Sequence, residues 1–123
     1  MSICVAVTDN SEGTAALVAA ATEAAKQGVP LVAVNLTTKE LDTSGLSAEA
    51  IELEVIPLGP PHLDEVEQVL KVIDDHPEVT LLVVGVRQRS AIGKVVLGSI
   101  AQRLILDALV PVLSVKAAPT AAS

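Results

Sequence analysis

The segment from Val79 to Lys116 contains the residues best suited to bind a ligand. Between Val79 and Leu106 it holds four of the eight basic residues of the chain and no Asp or Glu. The basic residues are Arg87, Arg89, Lys94 and Arg103, and Gly85, Gly93, Gly98 and Ser99 lie among them. Such cations are often only a solvated helix face. Because these follow a buried-strand pattern and precede a helical one, backbone N–H groups and the helix dipole would favour an anion there.

The pattern around these residues is that of a strand, a loop, a helix and a second strand. The run Leu81–Val84 is apolar at every position, which is typical of a strand buried on both faces. A helix is predicted next from apolar residues at helical spacing, namely Val95, Val96, Ile100, Leu104 and Ile105. Residues 112–115 form a second apolar run, which predicts a parallel strand after a right-handed crossover.

The amino-terminal half has the same order of elements. Ile3–Val7 predicts a first strand, Ala15–Gln27 an alanine-rich helix that ends at Gly28, and Leu31–Leu36 a second buried strand. Two consecutive strand–helix–strand units favour a parallel sheet covered by helices.

The middle of the chain has a weaker pattern. Residues 37–50 are mostly polar, and only a short helical turn is predicted over 47–50. Residues 52–56 alternate between polar and apolar, which predicts a half-exposed edge strand. A helix is predicted to begin near Leu63, with His76 as a capping residue at its carboxyl end.

Several of these residues resemble the universal stress protein family. Gly85, the pair Gly98–Ser99 and P-V-L-S-V at 111–115 are similar to the carboxyl-terminal half of its domains, whose nucleotide-binding members carry G-x2-G-x9-G-[ST]. Gln88 stands where that motif has its second glycine. The resemblance implies a three-layer α/β/α domain over residues 1–116, of the adenine nucleotide alpha hydrolase type, with five parallel strands in the order 3-2-1-4-5. Residues 117–123 are expected to form a disordered tail.

The resemblance also implies a nucleotide site. The family's first-loop aspartate, which contacts the adenosine, corresponds to Asp9, or to Thr8 if the register shifts by one residue. Asp9 or Ser11 could instead cap the following helix. The implied binding residues are Thr8, Asp9, Val34 (through its backbone), Gly85, Arg87, Gln88, Arg89, Gly98, Ser99 and Ile100. The expected ligand is an adenine nucleotide, with ATP first, and Gln88 would weaken its binding about tenfold if that position needs a left-handed backbone.

Composition argues against several other functions. The 123 residues suffice for one domain, and a net charge of −7 without Phe, Tyr or Trp argues against nucleic-acid binding. Val95 replaces the Ser or Thr of a Walker loop, and no zinc-type Cys/His spacing or nucleophile–base pair occurs. Neither an enzyme nor a metal site is expected, and weak ATP hydrolysis stays open as the alternative with the least support. One cysteine, Cys4, and no membrane-length apolar run or leader pattern predict a cytoplasmic location without membrane contact.

Two functions remain open from the sequence. The chain is either a nucleotide-binding sensor or a dimeric interaction module that binds no nucleotide. A homodimer through the last strand is predicted in both cases. Pro111 lacks an N–H and favours a sheet edge, while Val112, Leu113 and Val115 make that edge apolar. A two-fold partner would bury the same patch on both subunits.

Overall fold

The structure, a computed structural model, describes residues 1–44, 46, 51–88 and 95–117. Its helices and strands are, in chain order, β1 (Ser2–Val7), α1 (Ser11–Gln27), β2 (Leu31–Asn35), β3 (Leu53–Ile56), α2 (Glu65–Asp75), β4 (Val79–Gln88), β5 (Val95–Val96), α3 (Ser99–Asp107) and β6 (Val112–Ala117).

The sheet has five parallel strands in the order β3-β2-β1-β4-β6. Counting only the parallel strands, this is the predicted order 3-2-1-4-5, and the predicted fold class is confirmed. The short strand β5 adds an antiparallel pairing at the end of β4, where Arg87 lies opposite Val96 and Gln88 opposite Val95.

Helices cover both faces of the sheet because its strands are apolar on both sides. In β1, Ile3 and Val5 pack with α1, whereas Cys4 and Ala6 pack with apolar residues of α2 and α3. Small side chains let α1 lie close to the sheet, and four of its alanines are buried: Ala16, Ala20, Ala21 and Ala24. The result is three layers, with α1 on one face of the sheet and α2 and α3 on the other.

The helix predicted after β4 begins later than expected. Val95 and Val96 were predicted to be helical, but they form the strand β5, so that prediction was wrong. The reason is β4, which continues past the predicted end at Val84 to Gln88 and offers its last two residues for antiparallel pairing. Arg87 therefore lies in a strand and not in a loop.

The connection between β2 and β3 contains no helix in its described part, 36–44 and 46. Asn35 organises it, because its Oδ1 accepts hydrogen bonds from the Thr37 N–H at 2.9 Å and the Thr37 hydroxyl at 2.7 Å. The turn predicted over 47–50 lies outside the described residues. As predicted, β3 is an edge strand, and it pairs with β2.

The ends of several elements agree with the sequence. Helix α1 ends at Gly28, which has the left-handed φ of 69° that favours glycine. His76 follows α2 as its carboxyl-terminal cap, with its Nδ1 2.8 Å from the Val72 carbonyl oxygen. Ala117, predicted to lie in the tail, is instead buried in β6 opposite Arg87. No helix within the described ranges has the length and apolar character needed to cross a bilayer.

Candidate functional site

A crevice opens at the carboxyl ends of β1 and β4, which are neighbours in the sheet. The chain leaves β1 toward α1 on one face and leaves β4 toward α3 on the other, and open α/β sheets bind ligands at such a switch point. The cavity has a volume of about 340 Å³. Its lining residues are Thr8, Asn10, Glu12, Gly85, Arg87, Gly98, Ser99, Ile100 and Ala101.

The first turn of α1 lies directly on the backbone of the sheet. A Cβ atom on Gly13 would stand 2.0 Å from the Thr8 carbonyl oxygen, and one on Gly85 would stand 2.0 Å from the Glu12 carbonyl oxygen. Because backbone atoms block both positions, neither can hold a larger residue without moving α1. These glycines therefore set the width of the crevice on the α1 side.

At the amino terminus of α1, a side chain caps the free backbone N–H of Gly13. Asn10 is the N-cap, and its Oδ1 accepts hydrogen bonds from the Gly13 N–H at 2.9 Å and the Thr8 hydroxyl at 2.6 Å. The expected caps, Asp9 and Ser11, were therefore wrong. The extended backbone of Asn10, with φ of −163° and ψ of 179°, brings its side chain over the free N–H of Gly13.

Glu12 and Arg87 form an ion pair inside the crevice. The Arg87 Nε donates a hydrogen bond to Glu12 Oε1 at 2.5 Å. Only 11% of the Glu12 side chain is exposed, against 60% of the Arg87 side chain. Glu12 Oε2 is buried and has no hydrogen-bond partner among the described residues.

Glu12 is ionised at neutral pH. Burial acts to raise its pKa, but the nearby backbone N–H of Glu12, the hydrogen bond and charge of Arg87, and the neighbouring Ser11 outweigh burial. They hold the pKa of Glu12 below its usual value of 4.5. The crevice thus contains one negative and one positive side chain among its described lining residues.

The amino terminus of α3 differs, because no side chain caps it. Gly98 is the N-cap with φ of −67° and ψ of 163°, and it makes no side-chain hydrogen bond. A Cβ atom on Gly98 would meet nothing within 4 Å. The first N–H groups of a helix have no partner within the helix, and together with the dipole they favour an anion. Gly98 and Ser99 line the crevice, so this helix end borders it.

The crevice unites most of the residues predicted for the site. Those that line it are Thr8, Gly85, Arg87, Gly98, Ser99 and Ile100. Asp9 is exposed and outside the lining, so the structure places Thr8, the alternative to Asp9, on the wall. Val34 lies in β2 with 1% of its surface exposed and does not line the cavity. Arg89 and the side chain of Gln88 lie outside the described residues.

Three lining residues were missed in the sequence, Asn10, Glu12 and Ala101. Glu12 is separated from Arg87 by 75 positions, and a lone acidic residue in a first helical turn is an ordinary feature that points to no ligand. The polar run after the first strand was the available pattern, and it favoured Asp9 instead.

The structure also places two further residues of the basic segment. Arg103 does not contribute to the crevice lining but donates through Nη1 to Asp64 Oδ2 at 3.2 Å, at the amino terminus of α2. Gln88 lies in β4, and no described residue other than glycine has a positive φ. A left-handed backbone at Gln88 is therefore not required, and the predicted tenfold loss has no basis.

Other chemistry finds little support in the described ranges. These contain no group of three or more His, Cys, Asp or Glu residues placed to hold a metal ion. Cys4 lies in β1, and burial raises the pKa of its thiol to about 12, so it stays protonated. A protonated, buried thiol is a poor nucleophile.

Comparison with known proteins relates the chain to one family. Residues 62–116 match the model of the universal stress protein family. A universal stress protein from Mycolicibacterium smegmatis is 47% identical over 57 residues, which are 46% of this chain and 43% of that protein. The match thus spans less than half the length of that relative.

Solved structures show the same fold. A universal stress protein from Archaeoglobus fulgidus is 28% identical with a TM-score of 0.67, over 94% of this chain and 98% of that one. Another from that organism, in complex with dAMP, is 24% identical with a TM-score of 0.60 over 94% and 98%. A universal stress protein in complex with cAMP is 21% identical with a TM-score of 0.63 over 96% and 98%. The family resemblance predicted from the sequence is confirmed.

Proposed function

We propose that this chain, whose residues 62–116 match the universal stress protein family, binds an adenine nucleotide in the crevice between α1 and α3. The observation that supports this most is the uncapped amino terminus of α3 beside Gly98 and Ser99. Two structures with the same fold are complexes with dAMP and cAMP, which supports an adenine nucleotide as the ligand.

The nucleotide phosphate would lie at the amino terminus of α3. The free N–H groups there and the Ser99 hydroxyl can donate hydrogen bonds to phosphate oxygens, and Arg87 supplies positive charge at the opposite wall. The adenosine would then extend toward Thr8 at the end of β1. ATP stays the nucleotide predicted from the sequence, and ADP, AMP and cyclic AMP are the competing ligands.

Calorimetric titration tests this function. Wild-type protein should bind an adenine nucleotide with millimolar or better affinity, and binding should weaken as salt is added. Arg87→Ala should weaken binding about tenfold, the loss expected for a charge-assisted contact. Arg103→Ala is the matched control, because it removes the same charge outside the crevice. If no adenine nucleotide binds at millimolar concentration, the function is wrong and the interaction module replaces it.

A role as a sensor and not as an enzyme is part of the proposal. Glu12 is the one carboxylate among the described lining residues, and its Oε1 already accepts from Arg87. It is therefore poorly placed to activate an attacking water. Phosphate release from ATP should stay at the rate measured without protein. A cytoplasmic location is proposed with this role, since the single cysteine is a buried free thiol.

The homodimer through β6 also remains a proposal. Among the described strands β6 pairs with β4 alone, and Leu113 on it is 41% exposed. Light scattering should give twice the chain mass of 12.6 kDa. Leu113→Glu should yield monomers, whereas Leu109→Glu, at a leucine 96% exposed outside β6, should not. A monomeric wild type would exclude this dimer.

A further inference from the structure

Glu12 and Arg87 form their ion pair in the wall of the proposed nucleotide site. We propose that Glu12 selects the ligand of the crevice: its Oε2 accepts a hydrogen bond from a nucleotide donor, and its charge favours one phosphate group over three. This inference rests on the proposed nucleotide binding and goes further, because it names the residue that decides which nucleotide binds.

The first support is the unused acceptor. Glu12 Oε2 is buried without a hydrogen-bond partner among the described residues, although the residue lines the cavity and is only 8% exposed. Buried carboxylate oxygens normally accept hydrogen bonds, and an unpaired one lowers stability. Oε2 itself is closed off from solvent, but Glu12 lines the cavity, so a ligand that brings an O–H or N–H against this side chain would satisfy the oxygen after a rotation of the carboxylate. A nucleotide offers two such groups, the ribose hydroxyls and the amino group of adenine.

The second support is the charge balance. Arg87 is the one cation among the described lining residues, and its Nε already donates to Glu12. Among the described lining residues these two charges partly offset each other, so the amino terminus of α3, equivalent to roughly half a charge, supplies much of the attraction for an anion. That attraction suits a single phosphate. Each further phosphate adds negative charge near the Glu12 carboxylate, and like charges repel across a partly desolvated site.

A purely structural role for Glu12 predicts a different outcome. An acidic residue in the first turn of a helix is stabilising through the dipole, and its loss would lower stability without changing which nucleotide binds. The ratio of ATP affinity to AMP affinity separates the two roles, because it is unaffected by a uniform loss of folded protein.

The first experiment measures that ratio by calorimetry. Wild-type protein should bind AMP at least as tightly as ATP. Glu12→Gln keeps the shape of the side chain and removes its charge, so it should shift the ratio toward ATP by about tenfold. Glu23→Gln is the control, because it makes the same change on α1 at an exposed carboxylate, which accepts a hydrogen bond from Gln27. It should leave the ratio within about twofold of wild type.

The second experiment identifies the donor. AMP is compared with 2′,3′-dideoxy-AMP, which lacks the ribose hydroxyls, and with the purine riboside monophosphate that lacks the amino group. Loss of the true donor should weaken binding to wild type about tenfold and binding to Glu12→Ala by much less. Thermal melting confirms that each variant is folded.

Separate results would overturn each proposal. If nucleotides bind but wild type prefers ATP over AMP by tenfold or more, or Glu12→Gln leaves the ratio unchanged, selection by Glu12 is wrong and nucleotide binding stands. Selection by Glu12 is also wrong if each analogue loses as much affinity for Glu12→Ala as for wild type. If no nucleotide binds to wild type or to Glu12→Gln, both proposals fail.

Discussion

The two helices that begin at the crevice, α1 and α3, differ in how their amino termini are capped and packed. The start of α1 is capped by Asn10, carries the buried Glu12 and lies on the sheet backbone at Gly85. The start of α3 has Gly98 as a cap without a side-chain hydrogen bond, and the space around its α-carbon is open. Helix α1 follows the parallel strand β1, whereas α3 follows the short antiparallel strand β5.

The two helix starts at this edge of the sheet differ in how many backbone N–H groups they leave available for a ligand. The N–H of Gly13 is used by Asn10, so the end of α1 has less to offer an anion. The N-cap residue of α3, Gly98, has no side chain to compete for the N–H groups there. We infer that the first helix start holds the crevice in shape and that the second receives the ligand.

The largest effect should come from the glycines at the two helix starts. Gly85→Ala should lower the free energy of unfolding by about 3 kcal/mol or more, because the new Cβ would lie 2.0 Å from the Glu12 carbonyl oxygen. Gly98→Ala should cost less than about 1 kcal/mol, since nothing lies within 4 Å and φ is −67°. Chemical denaturation measures both. Equal losses would show that the two helix starts are equally packed.

An intermediate effect is expected when the caps are exchanged. Asn10→Ala should lower the free energy of unfolding by about 1 kcal/mol, because the Gly13 N–H loses its acceptor. Gly98→Asp should leave stability unchanged or raise it slightly, yet weaken nucleotide binding by about tenfold, since its carboxylate would take the phosphate position.

Gly98→Ser is the matched control for this exchange, because it supplies a cap without the charge. Its binding should fall less than that of Gly98→Asp. Full nucleotide affinity in Gly98→Asp would argue against α3 as the anion site.

The smallest effect concerns pH. The folded pKa of Glu12 lies below its usual 4.5, so the carboxylate adds stability above pH 4.5 and loses this contribution as pH falls through the lower folded value. The contribution should not exceed about 1 kcal/mol, because water screens Arg87, whose side chain is 60% exposed. The difference in the free energy of unfolding between wild type and Glu12→Gln, measured by urea unfolding, should be larger at pH 7 than at pH 3. The same difference at both pH values would show that the pair adds no stability.

Much of the fold could be predicted because it depends on local patterns. The apolar run at Leu81–Val84 and the alanine-rich α1 each indicate their element without reference to the rest of the chain. Val95 and Val96 were misjudged because residues at helical spacing can also pair as a strand when a neighbour offers an edge. Tertiary pairing overrode the local pattern there.

The sequence by itself determined the parallel sheet, the turn at Gly28 and the place of the crevice at Gly85 and Gly98–Ser99. These follow from hydrophobic periodicity and from backbone conformations that particular residues favour. Only the tertiary structure decided the charge of the crevice. The basic segment contains no acid between Val79 and Leu106, yet folding brings Glu12 to Arg87 and Asp64 to Arg103 across 75 and 39 positions. Charge pairing depends on distance in space, and that distance is set by the way the whole chain packs.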